Sequence, residues 1–268
     1  MEFIIGLWIT CIGAILGSFL GCMGYRIPNK IKTTYPSSFC SSCKKSLKWY
    51  MNIPIISYLF LRGKCAYCKK KIGIIYFLCE VLGAGLFLGS YLLFGFTEKF
   101  FLLIILTSAL IVTIVSDFLY YYISDRVLVM SYLSIIVVYL AFRSYDELIS
   151  YIVASVVIFL VMMGIKFVGN QLFKKESLGD GDIKLMAVLG LSLGLLNSFV
   201  SLFVSSCIAL IYSLIILSKN KEGIIPFGPF LIMGSMIVIS LSNYIEPFLI
   251  KFLSLWETKS LFFYKKIW

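Results

Sequence analysis

The sequence contains no histidine, and only 14% of its 268 residues are charged. Without histidine, the chain cannot form a Ser-His-Asp triad, a Cys-His pair or an HExxH metalloprotease site. Acid–base chemistry near neutral pH must therefore come from carboxylates, cysteine, lysine or tyrosine. A soluble protein carries about 25% charged residues, so the low charge also excludes an ordinary soluble globule.

Long apolar runs take the place of the missing charge, because 60% of the residues are hydrophobic. A bilayer core needs about 20 apolar residues per helix, and continuous runs favour helices over an outer-membrane barrel. We expect about eight transmembrane helices, of which two short ones come from the 185–217 run by a turn at Leu196-Asn197. The runs lie near residues 3–24, 74–95, 100–117, 127–142, 148–168, 185–217 and 227–249.

The first apolar run carries Gly13, Gly17 and Gly21 at a spacing of four residues. Glycines at this spacing share one face of a helix and let a second helix approach closely. The pattern predicts helix packing first and function only weakly.

The net charge of +11 comes from one segment, because residues 26–73 hold eleven lysines and arginines and no acid. We interpret this segment as a polybasic face on anionic lipid of the inner leaflet, rather than as a nucleic-acid site. The positive-inside rule then predicts a cytoplasmic position for the segment. The C-terminal tail would lie on the other side, unless residues 185–217 form one bent helix.

Four cysteines of this segment form two Cys-x-x-Cys pairs, Cys40 with Cys43 and Cys65 with Cys68. Two such pairs can supply four thiolates to one tetrahedral, structural Zn²⁺. The alternative is two disulfides, which need an oxidising compartment, so the predicted cytoplasmic position favours zinc. The predicted fold is an all-α integral membrane protein with a small cytoplasmic zinc-binding insertion between helices 1 and 2.

Aspartates lie at two predicted membrane boundaries on the same side. Asp117 ends the third predicted helix, with Asp125 eight residues later, and Asp180 and Asp182 begin the sixth. Ionisable groups at this depth are functional candidates. Helix capping is the alternative, and we favour it for Asp125 and Asp180. Asp117 is different, because a negative charge at a helix C-terminus is disfavoured by the helix dipole.

Two aspartates that flank one water and share one proton can hydrolyse a peptide bond. One carboxylate deprotonates the water, and the other protonates the carbonyl oxygen. Gly179 and Gly181, beside Asp182, would let the backbone approach an extended substrate. The residues thus predict an aspartic peptidase site.

The order of these motifs resembles that of the type IV prepilin peptidases, a family of GxGD-type membrane aspartic proteases. The resemblance covers nearly the whole chain. The matching segments are residues 17–20, 26–28, 40–43, 47–50, 53–54, 63–68, Glu80, Asp117, Asp125, residues 179–184 and residues 226–229.

The resemblance implies a bifunctional enzyme of the bacterial inner membrane. Such enzymes cut the leader of prepilins or pseudopilins at the cytoplasmic face and methylate the new N-terminus with S-adenosylmethionine. The catalytic aspartates would be Asp117 and Asp182, and Glu80 is a candidate partner for the methyl donor or the new amine. Supporting residues would be Gly179, Gly181, Lys184, Asp125 and Asp180.

This interpretation divides the chain into three parts. Residues 1–25 would form the first transmembrane helix, residues 26–73 the zinc-binding loop, and residues 74–268 the peptidase domain. Three alternatives stay open: a peptidase without methyl transfer, an Asp-coupled transporter that uses Asp117 as a proton carrier, and a zinc-stabilised membrane scaffold. A transporter is expected to show inverted repeats, and the sequence shows no internal repeat.

Overall fold

The computed structural model describes residues 1–217, apart from positions 34 and 36, and residues 225–264. The break predicted at residues 218–224 and the last four residues of the tail lie outside the described residues. The helices are α1 (Glu2–Arg26), a 3-10 turn (Trp49–Asn52), α2 (Ile56–Phe60), α3 (Ile74–Phe94), α4 (Glu98–Tyr120), α5 (Asp125–Phe142), α6 (Tyr145–Phe173), α7 (Asp180–Leu193), α8 (Leu195–Leu217) and α9 (Gly228–Tyr264).

Seven of the described helices are long and apolar enough to cross a membrane, namely α1, α3, α4, α5, α6, α8 and α9. The chain is therefore a multi-pass, all-helical membrane protein, as predicted. In α4 and α9 more than half of the membrane-crossing window is buried, whereas the other five bury at most 28% of theirs. Helices α4 and α9 thus form the interior together with the short helix α7, in which nine of 14 residues are buried, and the other five present apolar side chains outward.

Helix α7 is the sixth predicted helix and has only 14 residues, which span about 21 Å. Near its start, Lys184 pairs with Asp125 of α5 at 2.7 Å. Near its end, the Ser192 carbonyl accepts a hydrogen bond of 2.8 Å from the Tyr139 hydroxyl of α5. The short helix therefore runs alongside nearly the whole length of α5, and the predicted set of eight helices is present.

The turn between α7 and α8 lies at Gly194, whereas Leu196-Asn197 was predicted. Gly194 has a φ of 75°, a backbone conformation that glycine adopts without a Cβ clash. The predicted turn was therefore wrong by about two residues, because the left-handed backbone needs glycine more than it needs a polar residue.

Helices α1 and α3 cross through glycines, as the first apolar run predicts. A Cβ at Gly13 would meet the Gly83 carbonyl, and a Cβ at Gly17 would lie 2.5 Å from the Cys79 carbonyl oxygen. About two turns further on, a Cβ at Gly24 would lie 2.6 Å from Cβ of Val115 in α4. Small residues therefore bring the α1 backbone against both α3 and α4.

We predict that Gly13→Ala lowers the free energy of unfolding by about 1–3 kcal/mol, because the new methyl group overpacks the α1–α3 contact. The matched control is Gly85→Ala on α3, where an added Cβ meets nothing within 4 Å. Thermal unfolding in detergent measures both. Equal stability of the two variants would contradict the close crossing.

Candidate active site and metal centre

Asp117 is a buried carboxylate in the last turn of α4, with 6% of its surface exposed. The backbone amide of Gly228 donates a 3.2 Å hydrogen bond to Asp117 Oδ2. Gly228 is the first residue of α9, so the N-terminus of that helix faces the carboxylate. The C-terminus of α4 disfavours a negative charge here, and the N-terminus of α9 favours it. The α9 contact therefore supplies the electrostatic support that α4 lacks.

Asp182 lies in the first turn of α7, which begins directly after Gly179. Its Oδ1 atom is buried and has no hydrogen-bond partner among the described residues. Asp117 and Asp182 are close enough for their charges to interact. Helix α9 packs against both α4 and α7, and this packing helps to bring the two carboxylates to one place. The structure thus assembles the predicted pair at one end of the helices.

Ile123, in the connection between α4 and α5, packs between the two glycines that flank the aspartates. A Cβ at Gly181 would lie 2.9 Å from Ile123 Cβ, and a Cβ at Gly228 would lie 2.8 Å from Ile123 Cδ1. The first turns of α7 and α9 therefore need glycine at these positions to approach Ile123. The sequence did not predict the contacts of Ile123 or the hydrogen bond of the Gly228 amide, although residues 226–229 belong to the family pattern.

Asp125 and Asp180 do not cap their helices, so the favoured capping interpretation was wrong. Neither α5 nor α7 has a side-chain capping hydrogen bond. Asp125 pairs with Lys184 at 2.7 Å, and Asp180 pairs with Lys166 at 2.6 Å. The hydrogen bond from Lys166 lowers the pKa of Asp180. Both acids are exposed and paired with lysines of other helices, which leaves Asp117 and Asp182 as the buried carboxylates of this end.

The four cysteines come together in two equivalent turns. The Cys40 amide bonds the Lys45 carbonyl, and the Cys65 amide bonds the Lys70 carbonyl, at 3.0 and 2.9 Å. In each turn the residue after the second cysteine has a positive φ. The same backbone is thus used twice, and each copy presents its two thiols to the other.

The sulfur geometry fits one tetrahedral metal ion. All four Sγ atoms lie within 4.8 Å of one another, and those of Cys40 and Cys68 are 3.9 Å apart. Zinc–sulfur bonds of about 2.3 Å in a tetrahedron place the sulfurs about 3.8 Å apart. All eight cysteines are unbridged, and the gathering of four sulfurs in one cluster favours a shared metal ion over two disulfides. Backbone amides of Cys68 and Tyr67 lower the pKa of Cys65 to about 6, which favours the thiolate that binds metal.

Glu80 of α3 lies away from the aspartates, beside a cavity of 770 Å³ between α1, α3 and the cysteine-bearing loop. Its Oε2 atom accepts a 2.6 Å hydrogen bond from the Ile55 amide. The structure therefore separates Glu80 from the predicted hydrolytic pair and assigns it to a second pocket.

Fold and site together define a multi-pass membrane protein with two buried aspartates at one end and a tetracysteine centre. Residues 11–94 match the model of the bacterial peptidase A24 N-terminal domain, and residues 104–214 match that of the type IV leader peptidase family. The chain belongs to the type IV leader peptidase family, as the order of its motifs predicted.

Two related proteins match this chain over most of its length and most of theirs. The chain is 30% identical over 242 residues to the prepilin leader peptidase/N-methyltransferase of Bacillus subtilis, covering 89% of this chain and 95% of that protein. It is 30% identical over 256 residues to the protein of the same name from Vibrio cholerae, covering 89% and 97%. No solved structure matches the chain.

We predict that each chain of the purified protein binds one metal ion at its tetrahedral tetracysteine site. Elemental mass spectrometry measures this metal content. Cys40→Ser and Cys65→Ser should each lose it, because a closed four-thiolate site tolerates no missing ligand. Cys207→Ser, at an exposed position of α8, is the matched control and should keep it. Full metal content in the Cys40 and Cys65 variants would contradict the assignment.

Proposed function

We propose that this protein cleaves the leader peptide of type IV prepilins or pseudopilins and then N-methylates the new N-terminal residue. The observation that carries the proposal is the pair of buried aspartates at one end of the helices in a chain of this family. The relatives from Bacillus subtilis and Vibrio cholerae are named as prepilin leader peptidases and N-methyltransferases, which supports both activities.

In this proposal Asp117 and Asp182 are the catalytic residues and act on one water. The unprotonated carboxylate takes a proton from the water, which attacks the scissile carbonyl carbon, while the protonated carboxyl gives its proton to the carbonyl oxygen. The Gly228 amide holds one oxygen of Asp117. The partnerless Oδ1 of Asp182 is free to accept a hydrogen bond from the water. These contacts support a division of roles between the two acids.

Residues around the dyad act as positioning groups. Gly181 allows the start of α7 to pass close to Ile123, and Gly179 lies beside the carboxylate of Asp182. Both would leave room for an extended substrate. The Lys184–Asp125 pair holds α7 against α5, and the Asp180–Lys166 pair holds it against α6. An exposed ion pair contributes about 0–1 kcal/mol, so we assign these pairs to placement of α7 rather than to the chemistry.

The proposal places this active site at the cytoplasmic face of the bacterial inner membrane. The eleven basic residues and absent acids of residues 26–73 support that orientation and a contact with anionic lipid. The substrate's hydrophobic segment would enter from the bilayer and present its scissile bond at the boundary. We assign residues 1–25 to the first transmembrane helix, residues 26–73 to the metal-binding loop and residues 74–268 to the peptidase domain.

We assign Zn²⁺ to the tetracysteine site and a structural role to it. Four thiolates with no open position are typical of structural zinc, and Cys40, Cys43, Cys65 and Cys68 supply them. The ion would tie two otherwise separate turns of the loop together. The proposed peptide hydrolysis by Asp117 and Asp182 uses no group from the tetracysteine site.

S-adenosylmethionine is the proposed methyl donor, and it would supply a methyl group from its sulfonium. The new N-terminal ammonium of the substrate must first lose one proton, and its neutral amine then takes the methyl group. The donor leaves as a neutral thioether. The partnerless, buried Nε atom of Arg26, in the cavity that Glu80 also lines, fits a polar, charged donor.

We predict that Asp117→Asn and Asp182→Asn each lower the rate of leader cleavage by about 10²–10⁴-fold, because each removes one proton-transfer group. The measurement is the mass shift of a membrane-embedded prepilin incubated with purified enzyme. Asp146→Asn, at the exposed start of α6, is the control and should cleave at the wild-type rate. Metal content of each variant checks that the protein is folded. If both dyad variants cleave normally, the assignment of Asp117 and Asp182 as the catalytic pair is wrong. If the wild type itself does not cleave, an Asp-coupled transporter becomes the better account.

A further inference from the structure

The 770 Å³ cavity has the size and lining of a small-molecule site. Clefts of about 300–1,000 Å³ with apolar walls and a few polar groups are typical of ligand pockets. This one is enclosed by α1, α3 and the cysteine-bearing loop. Apolar and aromatic side chains supply most of its wall, and its ionisable groups include one buried arginine and one partly buried glutamate.

Arg26, the last residue of α1, is the buried cation of this wall, with 4% of its surface exposed. Its terminal nitrogens donate hydrogen bonds to the carbonyls of Lys32, Thr33 and Ser37 at 3.0–3.2 Å. Its Nε atom is buried and has no partner among the described residues. A guanidinium N–H without a partner is costly in a buried place, and an anionic ligand would satisfy it.

Glu80 is the anion of the same wall. It holds the amide of Ile55, whose φ of 63° is strained for a β-branched residue. Strained backbone persists where surrounding contacts enforce it, and it clusters at ligand sites. None of the ion pairs of the described residues joins Arg26 to Glu80. Lys70 and Lys71 also line the cavity, so it offers three cations and one carboxylate, and none of the ion pairs of the described residues joins Glu80 to them.

An aromatic surface completes the pocket. The rings of Tyr58 and Phe77 stack with centroids 4.6 Å apart, and both residues line the cavity. Aromatic faces attract cations and stack on planar ring systems. A ligand that suits this pocket carries one negative charge, at least one positive charge and an aromatic ring.

We propose that this cavity is the binding site of S-adenosylmethionine, with Arg26 on its carboxylate and Glu80 on its positively charged part. The assignment rests on the proposed methyl transfer, and it names the residues that recognise the donor. The donor's carboxylate would face Arg26, its ammonium and sulfonium cations would face Glu80, and its adenine would face the aromatic rings.

The position of the cavity suits a reaction that follows cleavage. A second cavity of 1030 Å³ adjoins it, because Thr33 lines both. That second cavity is also lined by Asp125 and Tyr120, and Tyr120 lies three residues after Asp117. The second cavity therefore extends from the first toward the end of α4, the helix that carries Asp117.

The test is the affinity of the purified full-length protein for S-adenosylmethionine, measured by titration calorimetry. We expect Arg26→Gln and Glu80→Gln each to raise the Kd about 10- to 100-fold, as loss of a charged hydrogen bond does. Arg62→Gln, at an exposed position of the same loop, is the matched control and should leave the Kd unchanged. Methylthioadenosine, which lacks the carboxylate, the ammonium and the sulfonium of the donor, should bind all four proteins equally.

Leader cleavage by each variant checks folding, because the aspartates lie outside this cavity. If wild type methylates the cleaved substrate but neither substitution changes the Kd, the proposed site is wrong and methyl transfer stands. If Arg26→Gln and Glu80→Gln weaken the binding of methylthioadenosine as much as that of the donor, the two residues maintain the shape of the cavity and do not recognise the donor's charges. That result would overturn the proposal. If wild type neither binds the donor nor methylates, methyl transfer itself is wrong, and the site with it.

Discussion

The position of Asp117 between two helix ends is the constraint on which the site depends. Its own helix, α4, disfavours a negative charge at this turn, and the N-terminal amide of α9 compensates by a hydrogen bond. That contact requires a glycine at position 228, where a Cβ would crowd Ile123 and the carboxylate itself. Helix α9 also packs against α7, which carries Asp182. One backbone contact thus links the charge, the packing of the interior and the arrangement of the dyad.

Helix α1 connects the two candidate sites through its glycines. Gly13 and Gly17 bring it against α3, which carries Glu80, and Gly24 brings it against Val115, two residues before Asp117. Arg26, at the end of the same helix, then lines the cavity and holds the start of the loop. A helix with larger residues at these positions would separate the proposed methyl-transfer pocket from the dyad. Close packing therefore supports two consecutive reactions on one substrate.

Hydropathy and motif order predicted the helices and the family, because these signals are local in the sequence. Contacts between distant segments were harder to predict. The sequence favoured helix capping for Asp125 and Asp180. Their lysine partners lie on other helices, so the ion pairs could not be predicted from neighbouring residues. Ile123 carries no pattern of its own, and the pattern at residues 26–28 does not show what packs against Arg26. The roles of both residues depend on their contacts with distant segments. Gly194 was a missed local signal, since a glycine between two apolar runs is a common helix end.

The most direct test of the account is whether positions 117 and 182 face one another in the folded membrane protein. The measurement is cross-linking of Asp117→Cys/Asp182→Cys by a short bifunctional thiol reagent, mapped by mass spectrometry, with Asp146→Cys/Asp182→Cys as the control pair. The account predicts a 117–182 link and no 146–182 link in protein that keeps its metal. Folded protein without the 117–182 link would contradict a shared hydrolytic site.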